Sequence, residues 1–379
     1  MSETVVPHSF SEAAAALAGA AAQGRVVRIV GGGTKLGWGA PPPAGALQLH
    51  TAHLSRVAVH EDGSATINAG TPLVRAQTIF ARSGLMLAAD PQLGLGRGPA
   101  ATVGGVVATA DTGPLSHRHG QVRDQIVGIT AALSDGSIVR TGPRTDHEHE
   151  GLDLARLFTG AFGTLGVILA VDVRLRPLPR QTASALASTD DPERLRAAVE
   201  IIVQEHRELE AFDVAWRHGR GGLLAQVAGD NARSSAEGAA RTMAACGLRD
   251  ASVRNDDASL WARQRAGQRS AEHALLRVQH SAAQLAGILR LADAATATVV
   301  GRAARGISYL TLDVPRIAAV RDALADGTAA IALDLPAAAR GAVDPWNVPE
   351  GPELGLMREL KREFDGAGVC NPGVFVGSI

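Results

Sequence analysis

Apolar and polar positions along the first 180 residues fall into short alternating blocks. Residues 11–23 carry the helical spacing of an amphipathic segment, with Ser11 as a plausible N-cap and Gly24 as its stop. "VVRIV" (26–30) is a β-branched run of the buried kind. "LQLH" (47–50), "RVAVH" (56–60) and "ATINAG" (65–70) follow as short strands, the last two joined by an "EDGS" turn. "TPLVRAQTIFARSG" predicts a helix with Thr71 as N-cap, Pro72 in the first turn and Gly84 at the end. Residues 89–120 are glycine-rich and read as irregular. "QIVGITAALSDGSIVR" predicts a hairpin turning at Asp135-Gly136, "LDLARLFTGAFG" a helix, and "GVILAVDVRLRPLP" a strand leaving the domain at Pro177 and Pro179.

The texture changes near residue 181. A helix over 191–205, strands over 209–216 and 222–228 and a helix over 232–246 alternate, and similar alternation recurs over 281–334. This pattern predicts an α+β domain whose helices cover one face of an antiparallel sheet. "DPWNVPEGPE" reads as a linker, "LGLMRELKREFDGAG" as a helix and "VCNPGVF" as a terminal turn. A first domain over 1–180, a second over 181–345 and a C-terminal segment over 346–379 are the expected divisions.

The most informative stretch is "VVRIVGGGTKLGWGAPPP" (26–43), a glycine-rich loop after a strand. A dinucleotide fingerprint needs G-x-G-x-x-G at the opening of a helix, and the third glycine position here is Leu36. "LGWGAPPPAG" does not form helical turns, since each glycine costs about 1 kcal/mol and each interior proline about 3. A phosphate loop of the G-x-x-x-x-G-K-[ST] type is absent as well. The remaining option is a nest of consecutive main-chain N–H groups between two strands, a site for an anion that needs no helix. Lys35 reads equally as a charge partner for that anion and as an exposed loop lysine.

Composition narrows the classes. The 379 residues carry a net charge of -1 and 3% aromatic residues, which removes the electrostatic and stacking case for nucleic acid. The two cysteines, Cys246 and Cys370, have no ligand or disulfide spacing, and a reducing cytoplasmic location is expected. No window approaches the ~20 apolar residues that span a bilayer.

Three further segments join the glycine loop to one family. They are residues 89–142 with their T-V-G-G step and D-G hairpin, "LARLFTGAFGTLGVILAVDVRLRPLP" (154–179), and "VCNPGVF" (369–375). Together they resemble the vanillyl-alcohol-oxidase/PCMH-type flavoproteins, and the "GGGTKLGWG" wording is most similar to the FAD-binding E subunits of glycolate oxidase. The resemblance implies a PCMH-type FAD-binding domain of two subdomains, an α+β substrate or cap domain, and a C-terminal segment returning to the FAD domain. It implies that Gly31, Gly32, Gly33, Thr34 and Lys35 cradle the pyrophosphate. Ala89, Asp90, Pro91, Thr102, Gly104, Gly105 and Ala108 would line the flavin and its phosphates. Gly113, Arg118 and Gly120 match a downstream loop, and Gly163, Gly166, Val167 and Ile168 the segment around the adenosine half. Asn371 matches a tail position near the isoalloxazine. The expected reason for the glycines is a planar cofactor pressed on backbone, with no room for Cβ. Relatives with covalent flavin use a His after the glycine triplet or a cysteine in the second loop; Thr34-Lys35 stands here and 100–120 holds no cysteine, so FAD is expected to be noncovalent.

The chain departs from the family in two places. The usual K-N-x-x-G-Y-D stretch is "TDHEHEGLDL" (145–154), retaining Gly151 and Asp153, and H-x-G-D-G-N-x-H is absent, "RHGRGG" (217–222) being a superficial echo. "HEHE" (147–150) offers ligand types, but alternate residues of an extended loop face opposite sides, so no metal is expected. "HRH" (117–119) reads as loop structure or, at His119, as a proton-handling group. Two functional readings stay open. In one, the chain oxidises a small 2-hydroxy acid such as glycolate or D-lactate within a complex, with a general base still unnamed. In the other it is a non-catalytic FAD-binding or electron-relay subunit. Both place a larger D-type flavoprotein and an iron–sulfur F-type subunit beside it, with any inner-membrane attachment made through partners. A third reading is a stand-alone FAD oxidoreductase acting on another alcohol.

Overall fold

Ser9 rather than Ser11 caps the first helix, α1 (Phe10–Ala22): its hydroxyl accepts the Glu12 N–H, and the N–H of Gln23 closes the other end. The computed structural model describes residues 3–94, 100–142, 153–325 and 328–379. It divides into two units, one of Met1–Thr112, Gly120–Leu178 and Val348–Ile379, the other of Gly113–His119 and Pro179–Asn347.

In the first unit, α1 packs on a parallel three-stranded sheet of order β1 (Thr4–Val5), β3 (Leu47–His50), β2 (Val27–Val30). Leu17, Val27 and Leu49 form its core, which Cys370 of the C-terminal segment completes. A second, antiparallel sheet has the order β4 (Val57–Val59), β5 (Ser64–Asn68), β9 (Val167–Arg174), β7 (Ile126–Ala132), β8 (Ile138–Thr141). Central β9 is buried on both faces, which explains its apolar run from Val167 to Val171. Leu169 is an extra residue opposite β7, since Ala131 pairs with Ile168 and Thr130 with Ala170. That bulge reverses the alternation, sending Val167 and Leu169 to the α1 side and Ile168, Val171 and Val173 to the other.

On that other side pack α2 (Leu73–Ala81), α3 (Val103–Ala108) and, beyond the single turn α4 (Ser116–His119), α5 (Leu154–Phe158). Leu85–Met86 and Arg176–Pro177 form a two-stranded ribbon, β6 and β10. Thr71 does not cap α2. Its carbonyl accepts the Val103 N–H, Pro72 takes the cap position, and no side chain caps the helix. The region expected to be irregular thus contains α3, held by Thr102 as a true N-cap.

The second unit is an eight-stranded antiparallel sheet of order β14 (Arg249–Arg254), β11 (Thr182–Thr189), β13 (Arg220–Ala228), β12 (Ala211–Arg217), β16 (Thr298–Arg302), β17 (Ile307–Leu312), β15 (Ala274–Gln279), β18 (Ala330–Asp334). One face buries α6 (Pro192–Glu205), α7 (Ala232–Ala245), α9 (Leu285–Ala294) and α10 (Ile317–Ala323) over Phe212, Val214, Trp216 and Leu310. The expectation that helices cover a single face needs correction. Helix α8 (Ala258–Ala266) lies on the other side, where Trp261 packs against Ala211 and Leu224. Helix α11 (Pro352–Phe364) belongs to the first unit, so the C-terminal segment returns there. Among the described residues no helix is long and apolar enough to cross a membrane.

Candidate functional site

The chain leaves β2 at Val30 and turns through Gly31, Gly32 and Gly33. Among the described residues, no hydrogen bond engages the N–H groups of these three glycines. Gly31 and Gly32 are half-buried and Gly33 is exposed, so three consecutive open N–H groups can meet an acceptor that arrives from outside the chain. Gly33 has φ +70°, the left-handed conformation that lets successive N–H groups converge.

The glycines themselves have a different reason from the expected one. A Cβ on Gly31 would lie 2.3 Å from Thr102 Oγ1, on Gly32 1.9 Å from Ala100 O, and on Gly104 2.6 Å from Ala69 Cβ. On Gly166 it would lie 2.4 Å from Ala132 O. The chain's own neighbouring strands and turns exclude side chains there, before any cofactor is considered.

These segments enclose a cavity of about 110 Å³. Of the residues singled out from the sequence, Gly31, Gly32, Gly33, Thr34, Lys35, Thr102, Gly104, Gly105, Ala108, Gly163, Gly166, Ile168 and Asn371 line it. Trp38, Thr51, Ala69, Phe162 and Val374 line it too; only Trp38, inside the glycine loop, carried a local signal. Gly104 and Gly105 offer no open donors, because their N–H groups go to Ala69 O and Thr102 Oγ1, and the Val103 N–H goes to Thr71 O. The anion-type chemistry therefore belongs to residues 31–33, and α3 supplies a wall.

Lys35 is neither an exposed loop lysine nor a free cation. Its ammonium lies 2.9 Å from Asp111 Oδ2, both side chains being 5% exposed, and 5.5 Å above the Trp38 ring. The contact is an ion pair without hydrogen-bond alignment, so the ammonium keeps donors for a further acceptor. Arg28 donates to Leu36 O at 2.8 Å and stiffens the far side of the same loop. Among the described residues the lining contains no His, Cys, Asp, Glu or Tyr.

The remaining sequence candidates fall elsewhere. Ala89 packs in the core beside Leu87 and Ala101, and Asp90 and Pro91 do not line the cavity. Val167 is a core residue on the α1 side of β9. Gly120 has φ +78° at the turn into residues 122–125, where a Cβ would meet Asp124 Oδ2 at 2.5 Å. Gly113 and Arg118 lie in the second unit, where Arg118 Nε is 3.0 Å and His119 Nε2 2.7 Å from the two oxygens of Glu210. His119 is thus held by a hydrogen bond to the carboxylate that also meets Arg118. Burial, with Arg305 and Arg118 nearby, lowers the pKa of His117 to about 4. Residues 143–152, with Gly151 and "HEHE", lie outside the described residues. Among the described ones no group of His, Cys, Asp and Glu side chains could hold a metal.

Sequence reasoning missed the polar centre of the second unit. Asp213 on β12 pairs with Arg302 at the end of β16, both fully buried on the face opposite α6 and α7. Burial pushes the Asp213 carboxyl up against the opposing pull of Arg302. Just before α8, Asp257 accepts from Thr182 and Ser184 of β11 and from Gln226 of β13, and Trp261 donates to Ser184.

A family model described as an FAD binding domain matches residues 2–142. Mitochondrial D-lactate dehydrogenase [cytochrome] of Arabidopsis thaliana is 31% identical over 160 residues, 42% of this chain and 27% of that protein. Glycolate oxidase subunit GlcE of Escherichia coli is 34% identical over 119 residues, 31% of this chain and 33% of that one. The chain thus matches about a quarter to a third of the length of these relatives. A solved chitooligosaccharide oxidase superposes with a TM-score of 0.68 at 15% identity, covering 97% of this chain and 89% of the other, which establishes the fold. The cradle suits the cofactor that the family model names: open N–H donors and an underused ammonium for phosphates, then apolar walls. The chain therefore shares its fold with the chitooligosaccharide oxidase, and over residues 2–142 it is similar to an FAD binding domain.

Proposed function

We propose that this chain is the FAD-holding subunit of a glycolate oxidase-like complex oxidising a small 2-hydroxy acid. The three open N–H groups of Gly31, Gly32 and Gly33, in a domain matching an FAD-binding model, carry this reading. They would hold the pyrophosphate, with Lys35 adding charge and Thr102, Gly104, Ala108 and Ile168 forming the apolar walls. That the lining has no His, Cys, Tyr or Asp among the described residues supports noncovalent binding. FAD supplies a two-electron acceptor, and the protein's part is to hold it, keep water out and orient it. The similarity to D-lactate dehydrogenases and to glycolate oxidase subunits supports the substrate class. Partners would be a larger flavoprotein and an iron–sulfur subunit.

A second reading, an electron-relay subunit without its own substrate oxidation, is favoured by one observation. Among the described residues the lining holds no carboxylate, histidine or tyrosine to take a hydroxyl proton, and its charged side chains are Arg28 and Lys35. Anaerobic addition of glycolate and of D-lactate to the purified chain separates the two. Bleaching of the flavin band supports independent catalysis. Bound FAD that stays oxidised until co-expressed partners are added selects the relay. A chain that takes up no FAD refutes both.

A further inference from the structure

The C-terminal segment is tied into the cavity wall by one side chain. Asn371 Oδ1 accepts the Ile29 N–H at 2.9 Å, and its Nδ2 donates to Phe162 O at 2.7 Å. Both partners line the cavity: Ile29 leads into the glycine loop, and Phe162 precedes Gly163, where a Cβ would lie 3.3 Å from the Ile29 side chain. Its backbone joins the same seam, the Asn371 N–H going to Val27 O and the Val27 N–H to Val369 O. Asn371 is 8% exposed with φ +41°, a left-handed conformation that asparagine tolerates better than other side-chain-bearing residues. Both ends of its amide are therefore consumed within the protein.

What holds the segment in place is equally specific. Lys361 Nζ donates to Thr164 O, Asp365 Oδ2 and Cys370 O at 2.6, 2.6 and 2.8 Å. Asp365 in turn accepts the N–H groups of Val369 and Cys370. Burial opposes the charge of Asp365, yet Lys361 and the Cys370 N–H outweigh it and hold its carboxyl below the usual range. Gly163 fits the arrangement, since a Cβ there would come within 2.9 Å of Asn371 Nδ2.

We propose that Asn371 is a positioning residue: its amide sets the separation of the glycine loop and the Phe162–Gly163 turn, so that FAD affinity depends on the C-terminal segment. The dependence on FAD rests on the functional reading above; the clamp itself does not. An aspartate at this position keeps the acceptor for Ile29 but turns a second acceptor on Phe162 O. A glycine keeps the left-handed backbone and removes both bonds.

The test compares Asn371→Asp and Asn371→Gly with Leu17→Ala, which thins the shared α1 core but removes none of the clamp's hydrogen bonds. FAD affinity is read by flavin fluorescence titration well below each melting temperature, and amide exchange at Ile29 by NMR on the apoprotein. Both Asn371 variants should weaken FAD at least tenfold while Leu17→Ala stays within twofold of the native chain. In apo Asn371→Gly, Ile29 exchange should accelerate at least tenfold. The proposal is overturned if Asn371→Gly binds FAD within twofold of native, if Leu17→Ala weakens FAD as much, or if Ile29 exchange is unchanged. A native chain that binds no FAD would sink the functional reading instead, and the exchange measurement would still judge the clamp.

Discussion

The two units place their polar chemistry in opposite parts of the chain. Around the first unit's cavity it sits in the backbone: open N–H groups at residues 31–33, glycines where strands and turns meet, and one ammonium close by. In the second unit the backbone is consumed by an eight-stranded sheet, and polarity resides in side chains such as the Asp213–Arg302 pair and the Asp257 cluster. A backbone cradle suits a phosphate that must be held tightly and identically each time, because main-chain donors lose no rotamer freedom on binding. Buried side-chain pairs instead specify a packing arrangement and are sensitive to the removal of either partner.

The largest effect should come from breaking that side-chain arrangement. Arg302→Met removes the charged partner of buried Asp213 and should cost about 3–5 kcal/mol in urea unfolding. Asp213→Leu combined with Arg302→Met should recover most of the loss, since two apolar groups need no pairing. A double variant as unstable as the single one would mean the pair has a role that packing does not replace.

Next comes the backbone cradle. Gly32→Ala places a methyl 1.9 Å from Ala100 O, forcing the loop off the neighbouring chain, at about 3 kcal/mol of stability. FAD should be lost from the purified protein. Retention of stoichiometric flavin by this variant would break the contrast drawn between the two units.

Third is a pH effect in the second unit. The folded pKa of His117, about 4, lies below the 6.5 of the unfolded chain. Between those values the unfolded state binds more protons, so stability falls as pH drops from 6.5 towards 4 and is fully present above 6.5. The shift corresponds to about 2–3 kcal/mol, given partial burial. Urea unfolding at pH 7 and pH 4.5 should therefore differ less in His117→Asn than in the native chain.

The smallest effect sharpens the role of the lysine. Asp111→Asn frees Lys35 from its counter-ion and should tighten FAD several-fold at low salt, whereas Lys35→Met should weaken it by about 1 kcal/mol. Titrations at two ionic strengths check both. If neither variant changes the salt dependence, the ammonium takes no part in phosphate binding.

Much of this was readable from residue order, for local reasons. "VVRIVGGGTKLGWGAPPP" excludes a helix by its glycines and prolines, so a strand followed by a nest was legible within eighteen residues. The Asp135-Gly136 hairpin was equally plain, Gly136 having φ +86° and Asp135 accepting the Ser137 N–H. Less local features escaped. "TASALAST" is a string of small residues with little strand preference, yet it forms β11 because β13 and β14 pair with both its edges. Ser9 outcompeted Ser11 as a cap by one hydroxyl placed three residues before an open N–H.

Residue order alone was enough for the α+β class, the glycine nest and the absence of a helix-borne phosphate site, because each depends on backbone freedom within a few neighbouring positions. Folding decided which glycines are required by the chain itself, where the charge of Lys35 goes, and that Asn371 joins partners 342 and 209 residues away. It also buried Asp213 against Arg302 across 89 residues. Such pairings arise from close packing and the need to satisfy every buried polar group, conditions that no stretch of sequence contains until its distant neighbours arrive.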